Sequence, residues 1–208
     1  MKSSALLEEI LLRHPQLTDL KDSILRAVEM VCLCYRAGGK VLVCGNGGSA
    51  ADAEHIVGEL AKEFKLPRTV PAEHVAKLDA VEPILSGALQ CGVAAISLVS
   101  QTSLSTAIAN DTDATMIFAQ QVYVYGRPGD VVWGLSTSGN SRNVVRALQV
   151  ARTFGMSTLG FTGAGCGAMD EWCDVLLKVP ETETYKIQEL HLPLYHAICM
   201  MVEEELFG

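Results

Sequence analysis

The sequence predicts an α/β fold, a doubly wound five-stranded parallel sheet of order 2-1-3-4-5, and three observations lead there. Short apolar runs at 40–45, 93–99, 130–136, 157–163 and 174–180 are each bounded by Gly, Ser or Pro. Longer stretches with helical periodicity separate them, and this alternation is the pattern of parallel strands covered on both faces. The first and third runs end in Gly- and Ser-rich turns that lead into helices. In the order 2-1-3-4-5 those two strands are neighbours, so both turns open into one crevice beyond their C-terminal ends.

Taken in order, the chain begins with apolar residues at three- and four-residue steps: Leu6, Leu7, Ile10 and Leu11, then Leu20, Ile24, Val28, Val31 and Cys32. These predict two helices within 1–37, expected to pack on a neighbouring subunit. The first strand and its helix follow. The segment 66–91, with prolines at 67, 71 and 83, is irregular and reads as a lid, an insertion or an interface helix. A final helix over 181–207 carries Ile187, Leu190, Leu194, Ile198, Met201, Val202 and Leu206 on one side and closes a single domain spanning 1–208.

The turn after the first strand reads Gly45-Asn46-Gly47-Gly48-Ser49-Ala50. Its glycines permit a tight turn and close approach of a ligand, and Ser49 is placed to cap the next helix. The string also fits G-x-G-x-x-A, but a dinucleotide site needs an acidic residue about 20 positions on, at the end of a second strand. Here the next strand starts only near Val93. A plain glycine turn is the other alternative.

The turn after the third run, Ser136-Thr137-Ser138-Gly139-Asn140-Ser141, holds four hydroxyl side chains ahead of a helix. A cap needs one hydroxyl. The excess, beside the positive end of a helix, makes a cradle for a phosphate that uses no lysine.

His55 and Glu59 are spaced i,i+4, so both side chains share one helix face about 6 Å apart, as a metal pair or as an ordinary surface hydrogen bond. Gln188 and His196 are about 12 Å apart along the last helix and reach a common ion only from opposite sides.

A hydrophobic fraction of 49% against 19% charged residues in a chain of 208 points to much interior or interface surface, and so to an oligomer. The net charge of −8 argues against a nucleic-acid partner, while leaving room for a small anionic substrate held by local amides and hydroxyls. No run is long enough to span a membrane and residues 1–14 have no secretory signal pattern, so a cytoplasmic protein without a membrane partner is expected. The seven cysteines form no CxxC pair and mostly interrupt apolar runs, as buried reduced thiols do.

The strings GNGGSAADAEH, STSGNS and IQELHLPLYH, in this order over nearly the full chain, resemble the phosphoheptose isomerase branch of the SIS domain family. The resemblance implies an aldose–ketose isomerase that converts sedoheptulose 7-phosphate to D-glycero-D-manno-heptose 7-phosphate through an enediol. It implies a phosphate site at Ser136, Thr137, Ser138 and Ser141, sugar contacts from Asn46, Gly47, Gly48, Ser49, Asn110, Asp111 and Gln188, and a zinc ion on His55, Glu59, Gln188 and His196. Glu59 is the expected base and His196 the expected acid. A homotetramer with sites between subunits is implied as well.

Two positions depart from the family pattern: Ala50 stands where many members have histidine, and Tyr185 where an acidic residue often precedes the Ile-Gln-Glu run. Segment 66–91 is also longer than in common members. The alternatives are an isomerase of another phosphosugar, or a non-catalytic SIS protein that binds a phosphosugar or a protein partner. The joint presence of His55, Glu59, Gln188 and His196 argues against the latter.

Overall fold

Each apolar run supplies one strand of the computed structural model, which describes residues 3–208: β1 (Val41–Cys44), β2 (Ala95–Ser97), β3 (Val131–Leu135), β4 (Ser157–Thr162) and β5 (Val175–Lys178). All pairings are parallel and the order is β2-β1-β3-β4-β5, as the sequence predicts. The strands are shorter than the apolar runs because flanking polar residues bond in turns. Asp130, for example, accepts hydrogen bonds from the backbone N–H of Lys40 and of Arg127 and pairs with Lys40 Nζ at 2.6 Å.

The helices are α1 (Ser4–Arg13), α2 (Lys21–Arg36), α3 (Gly48–Ala61), α4 (Ala72–Asp79), α5 (Ile84–Ala88), α6 (Thr102–Ile108), α7 (Ile117–Tyr125), α8 (Arg142–Thr153) and α9 (Thr184–Phe207). Strand side chains alternate between the two faces of the sheet and feed two cores. Val41, Val43, Val131, Trp133, Leu159 and Phe161 join α1, α2, α3 and α9 in one. Leu42, Cys44 and Val132 join α7 and α8 in the other.

Leu7, Ile10, Ile24, Val28, Val31 and Cys32 of the N-terminal helices are buried within this chain, where α1 and α2 lie on α9. Leu12 and Leu33, on other faces, stay exposed. Segment 66–91 forms α4 and α5, neither of which buries a residue. Its ends are closed by a Thr69–Gln90 bridge and by Cys91 N donating to Arg68 O at 2.9 Å. All seven cysteines are free; Cys32, Cys34, Cys44 and Cys199 are buried, Cys91 and Cys173 are half-buried, and Cys166, on a loop, is exposed. Among the described residues no helix is long and apolar enough to cross a membrane.

Candidate active site

The crevice opens at the level C-terminal ends of β1 and β3, where Cys44 lies beside Gly134. A pocket of about 320 Å³ is lined there by Asn46, Gly47, Gly48, Ser49, Leu135, Ser136, Thr137, Ser141, Thr184 and Gln188. Gly47 turns the chain with φ +58°, a left-handed backbone that L side chains avoid. At Gly48 an added methyl would sit 2.6 Å from Gln188 Nε2, so glycine here lets α9 close over the start of α3. Ser49 does not cap α3. The helix already begins at Gly48, after Gly47, which puts Ser49 buried inside the first turn.

In the second loop Ser136 Oγ donates to Ser141 Oγ at 2.8 Å, and Ser141 N donates to Ser136 Oγ at 3.3 Å. Ser141 flanks the N-terminus of α8, whose free amides and dipole favour an anion. Ser138 is exposed and accepts from Asn140 N. The two loops are tied by a reciprocal amide pair: Asn46 Nδ2 donates to Asn143 Oδ1 at 2.9 Å, and Asn143 Nδ2 donates to Asn46 Oδ1 at 2.8 Å. Asn110 and Asp111 sit on a π-helical turn after α6, exposed and bonded to each other, outside the lining of this pocket.

Further along α3 and α9 a second cluster forms. Ligating atoms of His55, Glu59 and His196 all lie within 4.8 Å of one another. His55 Nε2 is 3.0 Å from Glu59 Oε1 and 3.5 Å from His196 Nε2. Burial pushes the His196 imidazole below its ordinary pKa, the neighbouring His55 pushes it the same way, and Glu59 draws it partly back. Two imidazole nitrogens and a carboxylate oxygen this close together fit a divalent ion, and the N/O donor set suits zinc. Gln188, the expected fourth ligand, packs against Gly48 at the crevice end of α9.

Gly48 meets Gln188 and His55 meets His196, so α3 and α9 run parallel from the crevice to the cluster. At helical rise the two ends are roughly 10 Å apart.

Several site residues were invisible to sequence reasoning. Asn143 and Thr184 line or brace the crevice, but single polar residues at helix starts carry no signal of their own. Tyr195 and Asp52 bond each other and His55 across two helices, a contact that only the helix pairing creates. The Phe64 ring lies tilted against that of His196, with centroids 5.4 Å apart.

A sequence model of the SIS domain matches residues 7–91 and 77–163. The chain is 42% identical to a phosphoheptose isomerase of Rhodospirillum rubrum, covering 92% of this chain and 90% of that one. It is 41% identical to phosphoheptose isomerase 2 of Campylobacter jejuni, over 97% and 87% of the two chains. The solved structure of phosphoheptose isomerase GmhA from Neisseria gonorrhoeae superimposes with a TM-score of 0.75 at 35% identity, covering 94% of this chain and 93% of that one. That of a phosphoheptose isomerase from Francisella tularensis gives 0.76 at 28% identity, covering 91% and 90%. With the sheet order and both loops in place, the chain belongs to the SIS domain family, in its phosphoheptose isomerase branch.

Proposed function

We propose that this sugar-phosphate isomerase interconverts sedoheptulose 7-phosphate and D-glycero-D-manno-heptose 7-phosphate. The observation that carries the reading is the pairing of α3 with α9, which places an acid–base cluster roughly 10 Å along the helices from the crevice into which the hydroxyl loop after β3 opens. That gap suits a long phosphosugar with its phosphate on Ser136, Thr137, Ser138 and Ser141 and its carbonyl beside Glu59 and His196. Asn46, Gly47, Gly48, Ser49 and Gln188 line the path between, and Asn110 and Asp111 reach the sugar from the π-helical turn.

Glu59 takes the proton from C1 of the ketose while His196 gives a proton to the C2 oxygen, leaving the enediol. His196 then recovers the proton of the C1 hydroxyl and Glu59 delivers its proton to C2, so the aldose forms with both groups restored. His55, Glu59 and His196 would hold the ion, zinc being the expected one, while Gln188, the fourth ligand the resemblance implies, lies at the crevice end of α9. Bound there, a divalent ion polarises and orients the substrate oxygens. A cytoplasmic homotetramer completes the reading.

The test is turnover of seven-, six- and five-carbon ketose phosphates together with metal content on the same preparation. The seven-carbon substrate is expected to be fastest, with one ion per chain, and Glu59→Gln to lose about 100-fold or more in kcat. A Glu59→Gln protein with full turnover and its metal in place would remove the base assignment.

A further inference from the structure

His55 is approached from behind as well as from the metal side. Its Nδ1 lies 2.9 Å from Tyr195 Oη, and Tyr195 Oη lies 3.3 Å from Asp52 Oδ1. Asp52 sits one turn before His55 on α3, while Tyr195 immediately precedes His196 on α9. The Tyr195 ring packs edge-on against both imidazoles, with centroids 5.3 Å from His55 and 5.0 Å from His196. Tyr195 is almost wholly buried, and Asp52 Oδ2 is buried with no hydrogen-bond partner among the described residues.

A phenol carries one proton, so the three groups can be satisfied together in a limited number of ways. With Asp52 as carboxylate, an acceptor only, the tyrosine proton points to Asp52. The shorter contact is then filled from the other side, by His55 Nδ1–H donating to Tyr195 Oη. That tautomer leaves Nε2 as a lone pair 3.0 Å from Glu59 Oε1 and 3.5 Å from His196 Nε2, acceptors that a shared cation would satisfy. Without the carboxylate the tyrosine proton is free to turn to Nδ1, which favours the Nε2–H form and blocks the ligating atom.

We propose that Asp52 and Tyr195 are a positioning relay that fixes His55 as its Nδ1–H tautomer and so prepares Nε2 to bind the metal. The proposal rests on the metal reading above. Neither residue touches the ion or the substrate. Both act through the orientation and basicity of His55, as outer partners of ligating histidines do.

The test measures zinc affinity of the full-length, metal-stripped protein at pH 7.5 by competition with a chromogenic chelator. Nitrogen-15 NMR of the His55 ring in the zinc-loaded protein follows the proton itself. Tyr195→Phe keeps the ring packing and removes only the hydroxyl, and Asp52→Ala, at a half-buried position, frees that hydroxyl. Each variant is expected to bind zinc about 10- to 100-fold more weakly than wild type, and the slowly exchanging Nδ1–H signal of His55 should lose protection in both.

Wild-type affinity with an unchanged Nδ1–H signal in both variants overturns the relay and leaves the metal site standing. A loss confined to Tyr195→Phe overturns the role of Asp52, and with it the three-residue relay. A wild-type protein that takes up no zinc removes the metal reading and the relay together. Thermal melting of each variant identifies one whose loss comes from unfolding, and the other variant then decides.

Discussion

His191 shows what a single buried imidazole does to acid stability. It has no exposed surface; its Nε2 is 3.5 Å from Thr162 O, and Nδ1 has no partner among the described residues. Burial pushes its pKa down to about 4, against a smaller upward pull from the Thr162 carbonyl. The unfolded chain takes up this proton near pH 6.5, whereas the folded chain refuses it until about 4. The stability it contributes is complete above pH 6.5 and is lost as pH falls towards 4, by about 3 kcal/mol in all. Urea midpoints from pH 7 to 4 should fall more steeply for wild type than for His191→Leu; equal slopes would assign the acid loss to other groups. The sequence displayed this histidine inside its last motif, yet nothing in the spacing distinguished it from His196, since only the sheet decides which imidazole it covers.

Between elements, one buried ion pair forms a clamp. Glu203 on α9 accepts from the amides of Phe64, Lys65 and Leu66 and from Arg68 Nε at 2.7 Å. Burial alone would raise the Glu203 carboxyl, but those three amides and the guanidinium hold it below its ordinary range. Arg68 in turn donates to the carbonyls of Leu60 and Glu59, so one ion pair joins α9, the C-terminal end of α3 and the start of segment 66–91. It also fixes Phe64 against the His196 ring.

Glu203→Gln leaves Arg68 buried without its counter-charge and is expected to cost about 3–5 kcal/mol. Chemical denaturation measures that loss, and a change under about 1 kcal/mol would show the pair to be replaceable. Strands and the long helix were legible because their apolar periods are local. The clamp was not, because Glu203 is 135 residues from Arg68 in the chain. For the same reason segment 66–91 read three ways. Its short helices bury nothing that would leave a period in the sequence.

At the scale of the molecule, apolar side chains remain uncovered on α1, α2, α7 and the 66–91 excursion: Leu12, Leu33, Tyr123, Val81 and Ile84 are all exposed. That surface supports the proposed tetramer, and light scattering at micromolar concentration should give four chains; a monomer would contradict it. His55, Glu59 and His196 were legible beforehand, two of them by helical spacing and the third by family resemblance, whereas their convergence needed the parallel seating of two helices. The hydroxyl-rich loop was legible because Ser136, Thr137, Ser138 and Ser141 lie close together in the sequence.

That seating also bears on selectivity. On the assignment proposed here, the proton-transfer pair rides on two rigid rods, while the phosphate grip is the loop after β3, moored to the loop before α3 by the Asn46–Asn143 amide pair. The span between them is set where that mooring holds, like the marks on a yardstick. A shorter ketose phosphate held by its anion would stop short of Glu59 and His196, and discrimination by length would reside in the mooring rather than in the side chains along the path.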